Sequence, residues 1–166
     1  RQAHARGLKV LLFPIVRLED GGPRGEWRGT LRPRDRDAWF ASYERWLLPL
    51  AALAEREGVA ALSVGSELST LDVHHDRWAR LIAQVRGAYH GAILYSGNWD
   101  HYREVGLWDL VDYLGVCGYF ALGSGDGGAP DEAALRRAWT ERRRDLEAWQ
   151  ARRGKPLVFT EIGYLS

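Results

Sequence analysis

Two glutamates in this sequence end apolar runs. Glu67 closes "VAALSVGSE" (59–67) and Glu161 closes "PLVFTE" (156–161). Charged residues are seldom buried without a partner, so a carboxylate at the tip of an apolar strand is either a cost to folding or a tool for chemistry. A pair of them facing one cleft is the minimal apparatus for glycoside hydrolysis. One carboxyl is protonated and gives its proton to the leaving oxygen, while the other is ionised. Mutual repulsion and unequal burial set two such pKa values apart. In the retaining form the pair lies roughly 5–5.5 Å apart and the ionised member attacks the sugar. The structural alternative pairs each carboxylate with an arginine at the rim of a sheet. Agreement between two independent strand tips favours chemistry.

The segments that position these residues alternate strand and helix. "KVLLFPIV" (9–16) is a continuous apolar run, the pattern of a strand buried on both faces. A helix is expected from about Asp37 to Glu57, where Trp39, Phe40, Tyr43, Trp46, Leu47, Leu50 and Leu53 recur at steps of three and four. Pro49 is expected to kink or split it, and Gly58 to stop it. After the strand at 59–65 a second helix runs through "HHDRWARLIAQVRGAY", with Trp78, Leu81, Ile82, Val85 and Tyr89 on one face. "AILYSGNWD" (92–100) and "VDYLGVCGYF" (111–120) read as the third and fourth strands, with a short turn at Leu107–Leu110 between them. A long helix opens at Pro130-Asp131 and closes at Gly154, before the fifth strand.

Five strands separated mostly by helices imply a parallel sheet. A doubly wound sheet and a (β/α)8 barrel are the two candidates. Ser66-Glu67, Asn98-Trp99, Tyr119 and Glu161 all fall at C-terminal strand ends. A barrel gathers such ends around one rim, whereas an open sheet concentrates its site at one switch point. No GxGxxG or GxxxxGK follows any strand, which weighs against nucleotide binding. Glu67 and Glu161 are 94 positions apart, three βα units of about 31 residues in a barrel of about 250. The chain therefore reads as one partial (β/α)8 domain over 1–166, a TIM-barrel segment.

"VGSEL", "SGNWDHY", "WDLVDYLGVCGYF" and "PLVFTEIGY" resemble glycoside hydrolase family 113, a group of retaining (β/α)8 enzymes that act on β-mannans. The resemblance runs from about Gly7 to Tyr164. It implies that Glu67 is the acid/base, at the end of strand four, and Glu161 the nucleophile, at the end of strand seven. The five strands then correspond to strands 3–7, with strands 1, 2 and 8 missing, and the segment alone is expected to be inactive. It further implies a double-displacement mechanism on a β-linked hexose polymer such as β-1,4-mannan, with no cofactor and no metal. By the same likeness Tyr119 is expected to hydrogen-bond the nucleophile. The wider clan places Asn where this chain has Ser66, so Asn98 is the candidate for that sugar contact.

Further candidate substrate contacts are Trp99, as a stacking surface beside Asn98, Trp27 in its polar loop, and Tyr164 after the nucleophile. Each has a packing alternative: turn, loop anchor or strand cap. Adjacent His74 and His75 cannot share a helix face and read as a solvated helix start. Cys117 reads as core, and "GSGDGGA" as a mobile rim loop. A formal net charge of +1 gives no general pull toward nucleic acid, and no apolar run reaches membrane-spanning length. The expected partner is an oligo- or polysaccharide. Two rivals stand beside this reading, a non-catalytic carbohydrate-binding barrel and an open-sheet phosphosugar or nucleotide enzyme.

Overall fold

The computed structural model describes residues 2–19, 26–123 and 131–163. Five parallel strands lie side by side in sequence order: β1 (Leu11–Leu12), β2 (Ala61–Ser66), β3 (Ala92–Gly97), β4 (Tyr113–Gly118) and β5 (Leu157–Ile162). Helix α1 (Arg36–Arg56) joins β1 to β2, α2 (His75–Ala88) joins β2 to β3, and α3 (Glu132–Ala151) joins β4 to β5. An irregular segment of turns connects β3 to β4. A sheet in strict sequence order lacks the reversal of a doubly wound fold. The architecture is a curled, partial (β/α)8 barrel.

The core lies between the helices and one face of the sheet. Leu62, Val64, Ile93, Tyr95, Leu114 and Val116 alternate along the strands and meet Leu47, Leu81, Val85 and Trp149 from the helices. Much of the aromatic excess resides here. Trp78 meets Phe40 and Tyr95 edge-on, each with centroids 5.6 Å apart, and Tyr95 leads through Trp108 to Trp149. The opposite, barrel-interior face carries Ser96, Cys117 and Thr160, hydrogen-bonded to one another, and Ser63, whose hydroxyl donates to Gly65 O in its own strand.

Helix ends follow local chemistry. Asp35 accepts from the Ala38 N–H at 2.9 Å and Asp131 from the Ala134 N–H at 2.6 Å, capping α1 and α3. Gly58 and Gly154, each at φ +63°, end the same two helices in the left-handed conformation that glycine adopts without a Cβ penalty.

Two expectations change. Helix α1 runs through Pro49 without a break. The ring is on the exposed side, and so is Arg45, whose carbonyl loses its partner to proline, so water can serve that carbonyl. Burial of Phe40, Tyr43, Leu47, Ala51 and Ala54 on the other side outweighs the missing bond; Trp46 instead stays 41% exposed. The first strand is a two-residue edge strand, not a run buried on both faces. Leu11 and Ile15 are exposed, and Pro14 has no N–H to extend the ladder. Strand β5 is also an edge, and all its residues are half-buried or exposed, because β4 is its one neighbour in the sheet.

Candidate active site

Both glutamate-bearing strands carry one extra residue just before the carboxylate. Between Ser63 and Ser66, β2 gains a residue against β3, and Thr160 is the extra residue of β5 where Val116 pairs Phe159 but Cys117 pairs Glu161. Such bulges bend a strand and re-aim its side chains, and they recur beside active sites. Glu67 is moreover the one non-glycine residue at positive φ, +51°, among the described residues. A backbone held there costs about 1–3 kcal/mol and persists where the surroundings over-determine it.

Glu67 is 6% exposed. Its Oε2 takes a hydrogen-bonded ion pair from Arg28, in the short 3-10 turn Arg28–Thr30. Burial pushes its carboxyl above the ordinary value, the charge on Glu161 acts the same way, and Arg28 and the Cys117 thiol act against both without cancelling them. The result is an acid held closer to neutral pH than a free glutamate. The Trp27 ring folds over Gly29 and lies 5.8 Å from the Arg28 guanidinium carbon. Trp27 thus braces the arginine that faces Glu67.

Glu161 is half-buried. The Tyr119 hydroxyl donates to its Oε2 at 3.0 Å, and this bond holds the phenol proton above its ordinary range. Gly163 makes room for the arrangement: a Cβ there would lie 2.8 Å from the Tyr119 ring. Between the two glutamates stands the layer of Ser96, Cys117 and Thr160. Ser96 Oγ lies 2.5 Å from Thr160 Oγ1 and 3.2 Å from Cys117 Sγ. Burial pushes the Cys117 thiol up to about 11, and the charges of Glu67 and Glu161 both push the same way. The thiol therefore keeps its proton and serves as a donor. Glu67, Glu161 and Cys117 thus act on one another electrostatically.

The remaining candidates fall in different places. Both polar ends of the Asn98 amide are engaged in its own turn, the nitrogen with Asp100 Oδ1 at 2.8 Å and the oxygen with the Trp99 N–H at 3.0 Å. Trp99 is partly buried and meets Phe120 edge-on. Tyr164 and most of the loop read as mobile lie outside the described residues. His75 pairs with Asp109 at 2.9 Å and is shifted up by it; His74 lies 3.4 Å from Arg36. Sequence reasoning missed Arg28, one of many arginines with no local pattern to mark it, and the buried Asp72, which lies in a polar stretch. Ser66 Oγ and Arg28 Nε are buried without a hydrogen-bond partner among the described residues.

A sequence model described as Glycoside Hydrolase Family 113 matches residues 1–166. Among solved structures, a β-mannanase of that family from Alicyclobacillus acidocaldarius, in complex with ManMIm, is 31% identical with a TM-score of 0.81, over 97% of this chain and 48% of that one. A second GH113 β-1,4-mannanase is 27% identical with a TM-score of 0.79, over 98% and 49%. Fungal β-1,4-galactanases match at 16% identity and a TM-score of 0.56, over 99% and 58%, a likeness of fold. No curated protein matches the chain. The chain spans about half the length of the mannanase structures that it matches.

Proposed function

The chain belongs to glycoside hydrolase family 113, and on that premise we propose that it supplies the acid/base and the nucleophile of a retaining hydrolase of β-1,4-mannan. The observation that carries this reading is the pair of strand-end glutamates in unlike settings. Glu67 is buried and pushed toward its protonated form. Glu161 is more open and accepts an O–H hydrogen bond from Tyr119. That difference is what the two roles require.

In the first step a Glu161 oxygen bonds to the anomeric carbon as the glycosidic C–O bond breaks, and Glu67 gives its proton to the departing oxygen. In the second, Glu67 takes a proton from water, the water oxygen bonds to the anomeric carbon, and Glu161 leaves as carboxylate. Arg28, through its pair with Glu67, stabilises the carboxylate that the first step leaves behind. The mannan assignment draws on the likeness to the two β-mannanases. The test is ¹H NMR of the first products from β-1,4-mannan with the full-length protein. Release of the β-anomer supports a retaining mannan hydrolase; initial α-anomer, or hydrolysis of a different β-linked polysaccharide in preference to mannan, contradicts it.

Arg28 also gives a pH prediction. It lowers the proton affinity of Glu67. Arg28→Met keeps much of the apolar stem and removes the charge, so Glu67 holds its proton to higher pH. The free acid is the working form in the first step, and the alkaline limb of kcat/KM reports its loss. That limb is expected to move to higher pH in Arg28→Met. A limb that stays, or moves down, separates Arg28 from the acid.

A further inference from the structure

The left-handed backbone of Glu67 is held by two clamps. Its own N–H donates to Ser96 O at 2.7 Å. The next N–H, of Leu68, donates to the phenolic oxygen of Tyr95 at 2.8 Å. That oxygen accepts from Leu68, so its own proton goes to Asp72 Oδ2, 3.0 Å away. Asp72 is fully buried. Its other oxygen lies 3.1 Å from His101 Nε2, and His101 Nδ1 lies 3.3 Å from Glu104. The chain of contacts thus crosses three segments: the loop after β2, strand β3, and the turn after β3.

Tyr95 cannot shift to relieve a fault in this chain. Trp78 and Trp108 flank its ring at 5.6 and 5.9 Å. Position 65 is glycine, where a Cβ would come within 2.9 Å of the same ring. Asp72 is a costly residue to keep where it is, since burial drives its carboxyl up to about 6. A buried carboxylate that bonds one tyrosine and one histidine, behind a strained glutamate, has a physical use: it fixes the direction of the tyrosine O–H and so leaves the oxygen free to accept from Leu68. Tyr95 packs in the core between sheet and helices, away from the barrel-interior layer that lies between the glutamates.

We propose that Tyr95, Asp72 and His101 are positioning residues for the acid/base, holding Glu67 in its left-handed backbone through the Leu68 N–H. This rests on the reading of Glu67 as acid/base. Without the tyrosine hydroxyl the Leu68 N–H is buried with no acceptor. The peptide then turns to find one, and the Glu67 carboxyl leaves its place beside Arg28 and Cys117.

The test uses the full-length protein and two aryl β-mannobiosides, one releasing phenol and one releasing 2,4-dinitrophenol. Phenol needs a proton as it departs; dinitrophenol does not. Tyr95→Phe is expected to lower kcat/KM about 10–100-fold on the phenyl substrate, the usual reach of groups that orient a working residue, and to leave the dinitrophenyl substrate within about threefold. Equal losses on both substrates would reduce Tyr95 to general support and overturn the proposal; so would no loss on either. If Tyr95→Phe does not fold, His101→Ala breaks the chain at its more exposed end and is expected to show the same selectivity, several-fold in size. Glu67→Gln separates the two failures through kcat/KM, which reports the first step alone. If it spares kcat/KM on the dinitrophenyl substrate while Tyr95→Phe does not discriminate, the positioning chain alone is wrong. If Glu67→Gln fails to discriminate, the acid/base assignment is wrong too.

Discussion

Glu161→Gln in the full-length protein is expected to lower turnover of β-mannan by at least about 10⁴-fold, with the melting temperature within a few degrees of the parent. The loss is large because a neutral amide oxygen cannot form and then break an ester to the anomeric carbon, and water in its place is far less well positioned. The fold survives because little depends on the charge. Glu161 is half-buried on the edge strand β5, and Gln keeps an oxygen that accepts from Tyr119. Substitutions in such settings usually stay within about 0.5 kcal/mol. Kinetics and thermal melting on the same preparation check both halves. Retained turnover would return Glu161 to a structural role and favour a barrel that binds carbohydrate without cleaving it.

Glu67→Gln is expected to act differently. It removes proton donation, worth about 10²–10⁴-fold where the leaving group needs a proton, and it also removes the base of the second step. With an activated aryl mannoside the first step proceeds, and the covalent intermediate then accumulates. Added azide needs no base, so it should restore turnover and yield the β-mannosyl azide. Without Glu67 the part-buried Arg28 charge loses its partner, so a loss of stability is expected beside the loss of activity, reduced by the acceptor oxygen that Gln retains. Full activity toward unactivated mannan, or no rescue by azide with the activated substrate, would remove Glu67 from the acid/base role.

The sequence made the architecture legible because its signals were redundant. The strand at 59–65 and the helix with Trp78, Leu81, Ile82 and Val85 each had length, period and flanking residues in agreement. The burial of the first strand was misread because periodicity does not report neighbours. "KVLLFPIV" looks like an interior strand, yet two of its residues form strand, and nothing in its composition says which side is paired. The effect of Pro49 was misjudged because propensity ignores which side of the helix loses its bond. Glu67 and Glu161 were legible since a carboxylate after an apolar strand is conspicuous. Arg28, Asp72 and Tyr95 were not, because their roles arise from contacts 39, 23 and 27 residues away in sequence. The bulge at Thr160 and the left-handed Glu67 leave no mark on residue type at all. Asn98, read at a strand tip as a sugar contact, also bonds both ends of its amide within its own turn, which its residue type does not announce.

One measurement addresses the nucleophile itself. The full-length protein is treated with a 2-deoxy-2-fluoro β-mannobiosyl fluoride, whose fluorine at carbon 2 slows both oxocarbenium-like steps while the fluoride leaving group speeds the first. The peptide carrying Glu161 is then weighed by mass spectrometry. A fluoromannobiosyl adduct is expected on Glu161, formed as activity is lost and released as activity returns. An adduct on another residue, or inactivation with the Glu161 peptide unmodified, would contradict the assignment of Glu161 as the group that bonds to the sugar.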